Sequence, residues 1–335
     1  MIAAVHFRDF KALRSAAVKL GPFNLLVGPS GSGKTSLIEA LLRLRALSGL
    51  PAVHAHQLKG QPATGPRIDF HFDPPFQNVR VTVGCNADEL SCDLLIVDHP
   101  PGIEGEGQWA ELRTQLQGIR AYLFDPTAMG MPAMQAEGGE LSSNGGNLAA
   151  VLAHRKQLAP AALEQLESEF SRIMPEFAGL DFRALEGDRV ELSAPLAGGK
   201  ETVSAGNLSQ GTLQLLATLT LAHAPQPPAF VCLEEADRGS HPRMLREVRD
   251  ALYRLSYPQD AGETRAPSQV IATTHSPYLL DLFKEHPEEV VLAHKQGNAA
   301  SFSRLAERTD LLELMKETNL GDLWYSGILG SMPAE

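Results

Sequence analysis

The chain has 335 residues, 43% of them hydrophobic and 21% charged, with 29 Lys and Arg against 40 Asp and Glu for a net charge of −11. This is ordinary globular composition, enough for one large domain with an inserted lobe, and the acidic balance speaks against indiscriminate binding of nucleic acid. No run approaches the ~18 apolar residues of a membrane span, and Met1 to Val5 lead into a strand without a cationic leader, so no membrane association is expected.

In chain order, residues 23–27 read as an apolar strand and 34–47 as a helix. Between them Gly28, Pro29, Ser30, Gly31, Ser32, Gly33, Lys34 and Thr35 fit G-x-x-x-x-G-K-[ST] at every fixed position, with Ser36 following. In that pattern the glycines permit a tight turn that aims backbone N–H groups at phosphates. The lysine reaches the β and γ oxygens, and the threonine hydroxyl ligates Mg²⁺. A nucleoside triphosphate is therefore the expected ligand, and the helix start adds its positive dipole end.

After a Pro- and Gly-bearing break at 60–66, residues 68–72 and 79–83 alternate apolar with polar and 94–97 form a short apolar run. Bounded by Pro74-Pro75 and Pro100-Pro101, they predict an antiparallel sheet beside the nucleotide-binding core. From Leu148 the spacing turns helical: Leu148 and Leu152 stand four apart, and Leu163, Leu166, Phe170 and Ile173 keep helical spacing up to Pro175. Residues 146–204 are accordingly read as an inserted helical lobe, with 1–145 and 205–335 forming the ATP-binding head. No sustained heptads stand between Thr35 and Ser209, which argues against long coiled-coil arms.

Asn207-Leu208-Ser209-Gln210-Gly211-Thr212 precede a long apolar helix, and the strand 229–233 then ends in Glu234-Glu235. An acid at the end of a buried strand can hold a magnesium shell while the next polarises the attacking water, so Glu234 is assigned to the metal and Glu235 to the base. The β-branched strand 269–274 presents His275, placed to sense a γ-phosphate. Residues 311–320 predict a helix capped by Gly321, leaving Trp324 and Tyr325 either as a docking tail or folded back on the head.

These pieces in this order resemble the ABC-type ATPase heads of the RecF, SMC and OLD group, in particular compact AAA-family ATPases of bacterial defence islands. The opening Val5-His6-Phe7-Arg8-Asp9-Phe10-Lys11, the segment Gly145-Gly146-Asn147-Leu148 and the tail Leu320-Gly321-Asp322-Leu323-Trp324-Tyr325 also resemble that group. The resemblance implies an α/β fold: a P-loop head with a mixed-sheet core, an antiparallel β subdomain and an inserted helical lobe. It implies a head-to-tail homodimer around two ATP with Mg²⁺, in which Ser209 and Gly211 act in trans on the partner's nucleotide. Lys11 would match the basic residue that touches nucleotide, and Asp237, before His241-Pro242, would communicate between the two sites. The signature reads Leu-Ser-Gln-Gly-Thr rather than the transporter form, and Glu234 stands where an aspartate is usual, so a transporter role is disfavoured and slow turnover is expected. No glutamine loop is assignable among Gln57, Gln115 and Gln117.

The 60 residues after His275 contain no D-x-D and are too few for the Toprim nuclease of OLD-type proteins. Any nuclease is therefore expected as a separate protein, and the chain as an ATPase subunit controlling a nuclease or toxin in antiviral defence. A RecF-like DNA repair ATPase and a nucleotide-gated scaffold with minimal turnover remain alternatives. DNA is a further candidate partner, although the Lys and Arg among residues 1–50 other than Lys34 and Lys11 are read as solvated. Cys85, Cys92 and Cys232 lack metal-ligand spacing, are read as small core or surface residues, and suggest a reducing, cytoplasmic setting. His54 and His56 are read as surface residues rather than a metal pair.

Overall fold

The computed structural model describes residues 1–55, 65–86 and 91–330, and divides into two compact units. The first comprises Met1–Ala121, Pro228–Cys232 and Ser268–Glu335; the second comprises Tyr122–Pro227 and Leu233–Pro267.

The first unit holds two six-stranded sheets. In one, Phe23–Val27 lies between Val290–Gln296 and Gln269–Thr274, parallel to both. Phe230–Leu233 and Ile119–Tyr122 extend it on one side and Ala299–Arg304 on the other. Every residue of Phe23–Val27 and Gln269–Thr274 is buried, as parallel strands covered on both faces require, which is why both read as continuous apolar or β-branched runs. The second sheet runs in the order Leu13–Lys19, Ile2–Phe10, Arg67–Phe72, Arg80–Cys85, Cys92–Asp98, Val53–His54. Its pairings are antiparallel apart from the last. Arg67–Phe72 buries every second residue, so the predicted alternation was a half-buried strand as read.

One apolar cluster joins these layers: Phe7 and Phe10, then Leu37, Leu41 and Leu44 of the helix Lys34–Ser48, then Ile68, Phe70 and Val81, and Trp109 and Leu112 of the helix Ile103–Gln117. Spacing of three and four along Lys34–Ser48 sets one helix face into this core, which anchors the loop at the helix's start. Two buried amides fix the other end of the P-loop strand. Asn24 accepts from the Gly21 amide at 2.9 Å and donates to the Gly21 carbonyl at 2.8 Å, while Gln269 bridges Ile2 and Gly21.

Cys85 and Cys92 are joined by a disulfide, correcting the expectation of three unlinked cysteines. They are register partners across the antiparallel pair Arg80–Cys85 and Cys92–Asp98, so strand pairing brings together two side chains seven positions apart. The cysteines thus give no argument for a reducing compartment. Cys232 is free and buried.

The second unit combines the helices Leu148–Leu158, Pro160–Ile173, Gln210–Ala222 and Leu245–Ser256 with a small sheet, in which Asp181–Leu185, Arg189–Pro195 and Thr202–Ser204 pair in that order. Residues 146–204, read as a helical lobe, therefore hold two helices followed by a β-hairpin and a third strand. The turn between Asp181–Leu185 and Arg189–Pro195 has both Gly187 and Asp188 at positive φ, a hairpin signal. The compact units also divide the chain at Tyr122 rather than at residue 146. The helix Gln210–Ala222 is buried on every side from Gly211 onward, and Thr218 and Thr220 satisfy their hydroxyls on the carbonyls of Gln214 and Leu216. Among the described residues no helix exceeds 15 residues, and none is long and apolar enough to cross a membrane.

The predicted C-terminal helix is two short helices, Leu311–Glu317 and Leu320–Tyr325. Gly321 is not a cap between helix and tail: its amide donates to Asp281 Oδ1 at 2.6 Å from the first turn of the second helix. Trp324 is buried and Tyr325 is 80% exposed.

Candidate functional site

The phosphate loop grows out of the buried strand Phe23–Val27 and closes into the helix Lys34–Ser48. Gly31 and Gly33 take φ of 76° and 92°, values that a side chain would strain. The Lys34 side chain folds back over the loop, its Nζ donating to Gly28 O at 2.7 Å and Pro29 O at 3.1 Å. It is 8% exposed, an ammonium held among carbonyls at the mouth of the loop. The Lys34–Ser48 helix has no side-chain cap and no acid in its first turn, so no side-chain negative charge there offsets the positive end of its dipole. Ser32 Oγ is buried with no hydrogen-bond partner among the described residues. Thr35 is exposed in the first helical turn and Ser36 partly so. These residues fit a triphosphate: a lysine, a helix start without acids, and a buried hydroxyl awaiting an acceptor or donor. They also fit magnesium, which is held by one or two protein oxygens plus phosphate rather than by a protein cage. No group of three His, Cys, Asp or Glu that could hold a metal by itself occurs among the described residues.

His275 follows directly on Gln269–Thr274, whose Thr274 is the register partner of Val27, so the histidine leaves the sheet at the same edge as Gly28. It is exposed, and the chain is stiffened beyond it by Ser276, whose hydroxyl caps the amide of Leu279. Lys11, the other nucleotide candidate of this unit, pairs its ammonium with Glu39 in the second turn of the P-loop helix and lies over the Phe10 ring. Lys295, which nothing in the sequence singles out, comes against Gly31.

The remaining candidates belong to the second unit. Glu234 leaves the strand Phe230–Leu233 with its amide donating to Tyr122 O at 2.8 Å. Glu235 has φ of 50°, a left-handed conformation that costs a non-glycine residue about 1–2 kcal/mol, and its exposed carboxylate is 3.8 Å from the Arg238 guanidinium. The turn continues through Asp237, whose carbonyl accepts from the Ser240 amide at 3.0 Å. Ser209 is the N-cap of Gln210–Ala222, accepting from the Thr212 amide at 3.1 Å. A Cβ on Gly211 would stand 2.6 Å from Gly239 O, and one on Gly239 would stand 2.8 Å from Gln210 Cβ. The signature and the turn after Glu235 are therefore interlocked, and only glycines allow that approach.

Gln117 reaches Ser48 O, at the far end of the P-loop helix from the loop, which removes it as a nucleotide-sensing glutamine; Gln57 and His56 lie outside the described residues. His54 meets His99, Nδ1 to Nε2 at 3.2 Å, a contact that no local motif announced. Asn147 ties together its own neighbourhood, accepting from the Ser142 amide and donating to the carbonyls of Glu137 and Glu140.

Residues 150–281 match the family described as "AAA domain, putative AbiEii toxin, Type IV TA system". No curated protein matches. Among solved structures, an Smc head bound to the C-winged helix domain of ScpA is similar with a TM-score of 0.61 at 16% identity, over 94% of this chain and 99% of that one. An Smc head with an extended coiled coil, bound to the C-terminal domain of ScpA and derived from Pyrococcus furiosus, gives 0.57 at 15% identity, over 94% and 99%. An Smc head with a coiled coil and joint from Pyrococcus yayanosii gives 0.54 at 12%, again over 94% and 99%. The fold of this chain is that of an ABC-type P-loop ATPase head of the SMC kind.

Proposed function

We propose that this chain binds ATP with Mg²⁺ in the Gly28–Ser36 loop, hydrolyses it slowly, and closes head to tail with a second copy to regulate a separate nuclease or toxin. The observation that carries the reading is the first turn of Lys34–Ser48, uncapped, free of acids and covered by a buried lysine. Lys34 and the loop amides orient the phosphate chain. Thr35 and Glu234 would hold magnesium, which when bound would supply charge neutralisation at the phosphate oxygens. Glu235 takes the proton of the attacking water as the γ-phosphoryl bond to the β-oxygen breaks in line, and His275 hydrogen-bonds the γ-phosphate. Ser209, capping a buried helix, and Gly211 complete the partner's site, and Asp237 relays closure between the two.

The description of the matching family, a putative toxin of a type IV toxin–antitoxin system, supports a toxin-linked context. The similar heads crystallised with a ScpA domain support a protein partner for a head of this fold. Phosphate release by purified protein tests the enzymatic claim. Lys34→Ala should lose nucleotide binding, Glu235→Gln should bind ATP yet lose at least about a hundredfold in turnover, and Ser209→Arg should bind ATP without closing. Wild-type turnover surviving in Glu235→Gln would remove the base assignment.

A further inference from the structure

The strand Val290–Gln296 runs beside the P-loop strand with Val290, Val291 and Leu292 opposite Leu25, Leu26 and Val27. Continuing that register puts Ala293 against Gly28, where a Cβ would stand 2.4 Å from Ala293 O and 2.8 Å from its Cβ. Two residues further, Lys295 lies along the turn of the loop. Its Nζ is 3.2 Å, and its Cδ and Cε 3.8 Å, from where a Gly31 Cβ would be. The return strand holds this arrangement: Ala300 pairs with Lys295, packs 3.3 Å from the corresponding position on Gly33, and donates its amide to Ala12 O at 2.8 Å. Lys295 is partly buried and has no carboxylate within ion-pair range among the described residues. Lys34, meanwhile, has two of its three donors on Gly28 and Pro29. A second ammonium laid against the phosphate loop, with no acid in ion-pair range among the described residues, is placed for an anion.

We propose that Lys295 is a second phosphate-binding residue, joining Lys34 in neutralising the phosphate chain of the nucleotide from the adjoining strand. The inference rests on the nucleotide-binding reading of the P-loop. Its contribution is charge rather than shape, so it is shared by any polyphosphate and is weakened by salt.

The test titrates wild type, Lys295→Gln, Lys295→Met, Lys295→Arg and Lys34→Ala with a fluorescent ATP analogue, and then displaces the analogue with unlabelled ATP or inorganic tripolyphosphate. Losing one charge-assisted contact should weaken both ATP and tripolyphosphate about tenfold to a hundredfold in Lys295→Gln and Lys295→Met. Lys295→Arg should restore most of the affinity, and the deficit should shrink as salt rises. Unfolding midpoints without nucleotide should match wild type, separating lost binding from lost folding. Wild-type affinity in Lys295→Gln alongside none in Lys34→Ala would overturn the inference and leave the P-loop reading standing. Weakened ATP with unchanged tripolyphosphate would mean a contact to sugar or base and would also overturn it. Undiminished ATP binding by Lys34→Ala would instead bring down the nucleotide site itself.

Discussion

Glu235 concentrates the tension between stability and chemistry at a single residue. Its φ of 50° is one that glycine adopts without strain, yet glycine cannot take a proton from water. Glu235→Gly is expected to be more stable than Glu235→Ala by about 1 kcal/mol, because alanine keeps the left-handed strain and glycine sheds it. Both should lack turnover, and parallel urea titrations with phosphate release measure both effects. Gly211 tests the opposite case. A methyl there meets Gly239 O, a backbone atom that cannot rotate away, so Gly211→Ala should lower the unfolding midpoint despite better helix propensity. At this scale the phosphate loop was legible because its chemistry sits in eight consecutive residues. Lys295 was not, since its place beside Gly31 follows from strand register between segments far apart in the chain.

Among the elements, the signature helix Gln210–Ala222 is fixed at both ends. Ser209 caps its start, and at its end His223 donates Nε2–H to Glu169 Oε2 at 2.8 Å, on the helix Pro160–Ile173. Arg254, from Leu245–Ser256, approaches the same carboxylate and also pairs with Glu263. The His223 hydrogen bond, helped by the charges of His223, Arg254 and Arg172 and opposed by burial, holds the Glu169 carboxyl below its ordinary value of 4.5. A lowered folded value stabilises fully above the unfolded one and is lost as pH falls through it. Acidification from about pH 5.5 to 3.5 should therefore cost wild type more stability than Glu169→Gln, seen as converging urea midpoints. The hairpin of Cys85 and Cys92 makes a simpler prediction. Thiol titration of unreduced, denatured chain should find Cys232 alone, and reduced chain all three cysteines. The sequence spacing showed helices well where apolar residues recur over several turns, as in Pro160–Ile173. It failed at 181–204, where Val190, Leu192 and Ala194 alternate over too short a length to stand out against the preceding helices.

For the whole molecule, the fold followed from the order of motifs, because each stands at a strand end or a helix start: Gly28 after Phe23–Val27, Glu234 after Phe230–Leu233, His275 after Gln269–Thr274. The boundaries of the units were not legible. The strand Phe230–Leu233 belongs to the first unit up to Cys232 while the carboxylates of Glu234 and Glu235 that follow it belong to the second, a division set by packing rather than by any break in composition. The P-loop and His275 lie in one unit and Ser209, Gly211 and Asp237 in the other, and the head-to-tail account has two copies of the chain complete each other's sites. The most direct measurement is the molar mass of Glu235→Gln by light scattering, with and without ATP and Mg²⁺. The account predicts a monomer that doubles in mass with ATP and Mg²⁺ and stays single when Ser209→Arg is added. A mass unmoved by nucleotide that is shown to be bound would contradict it.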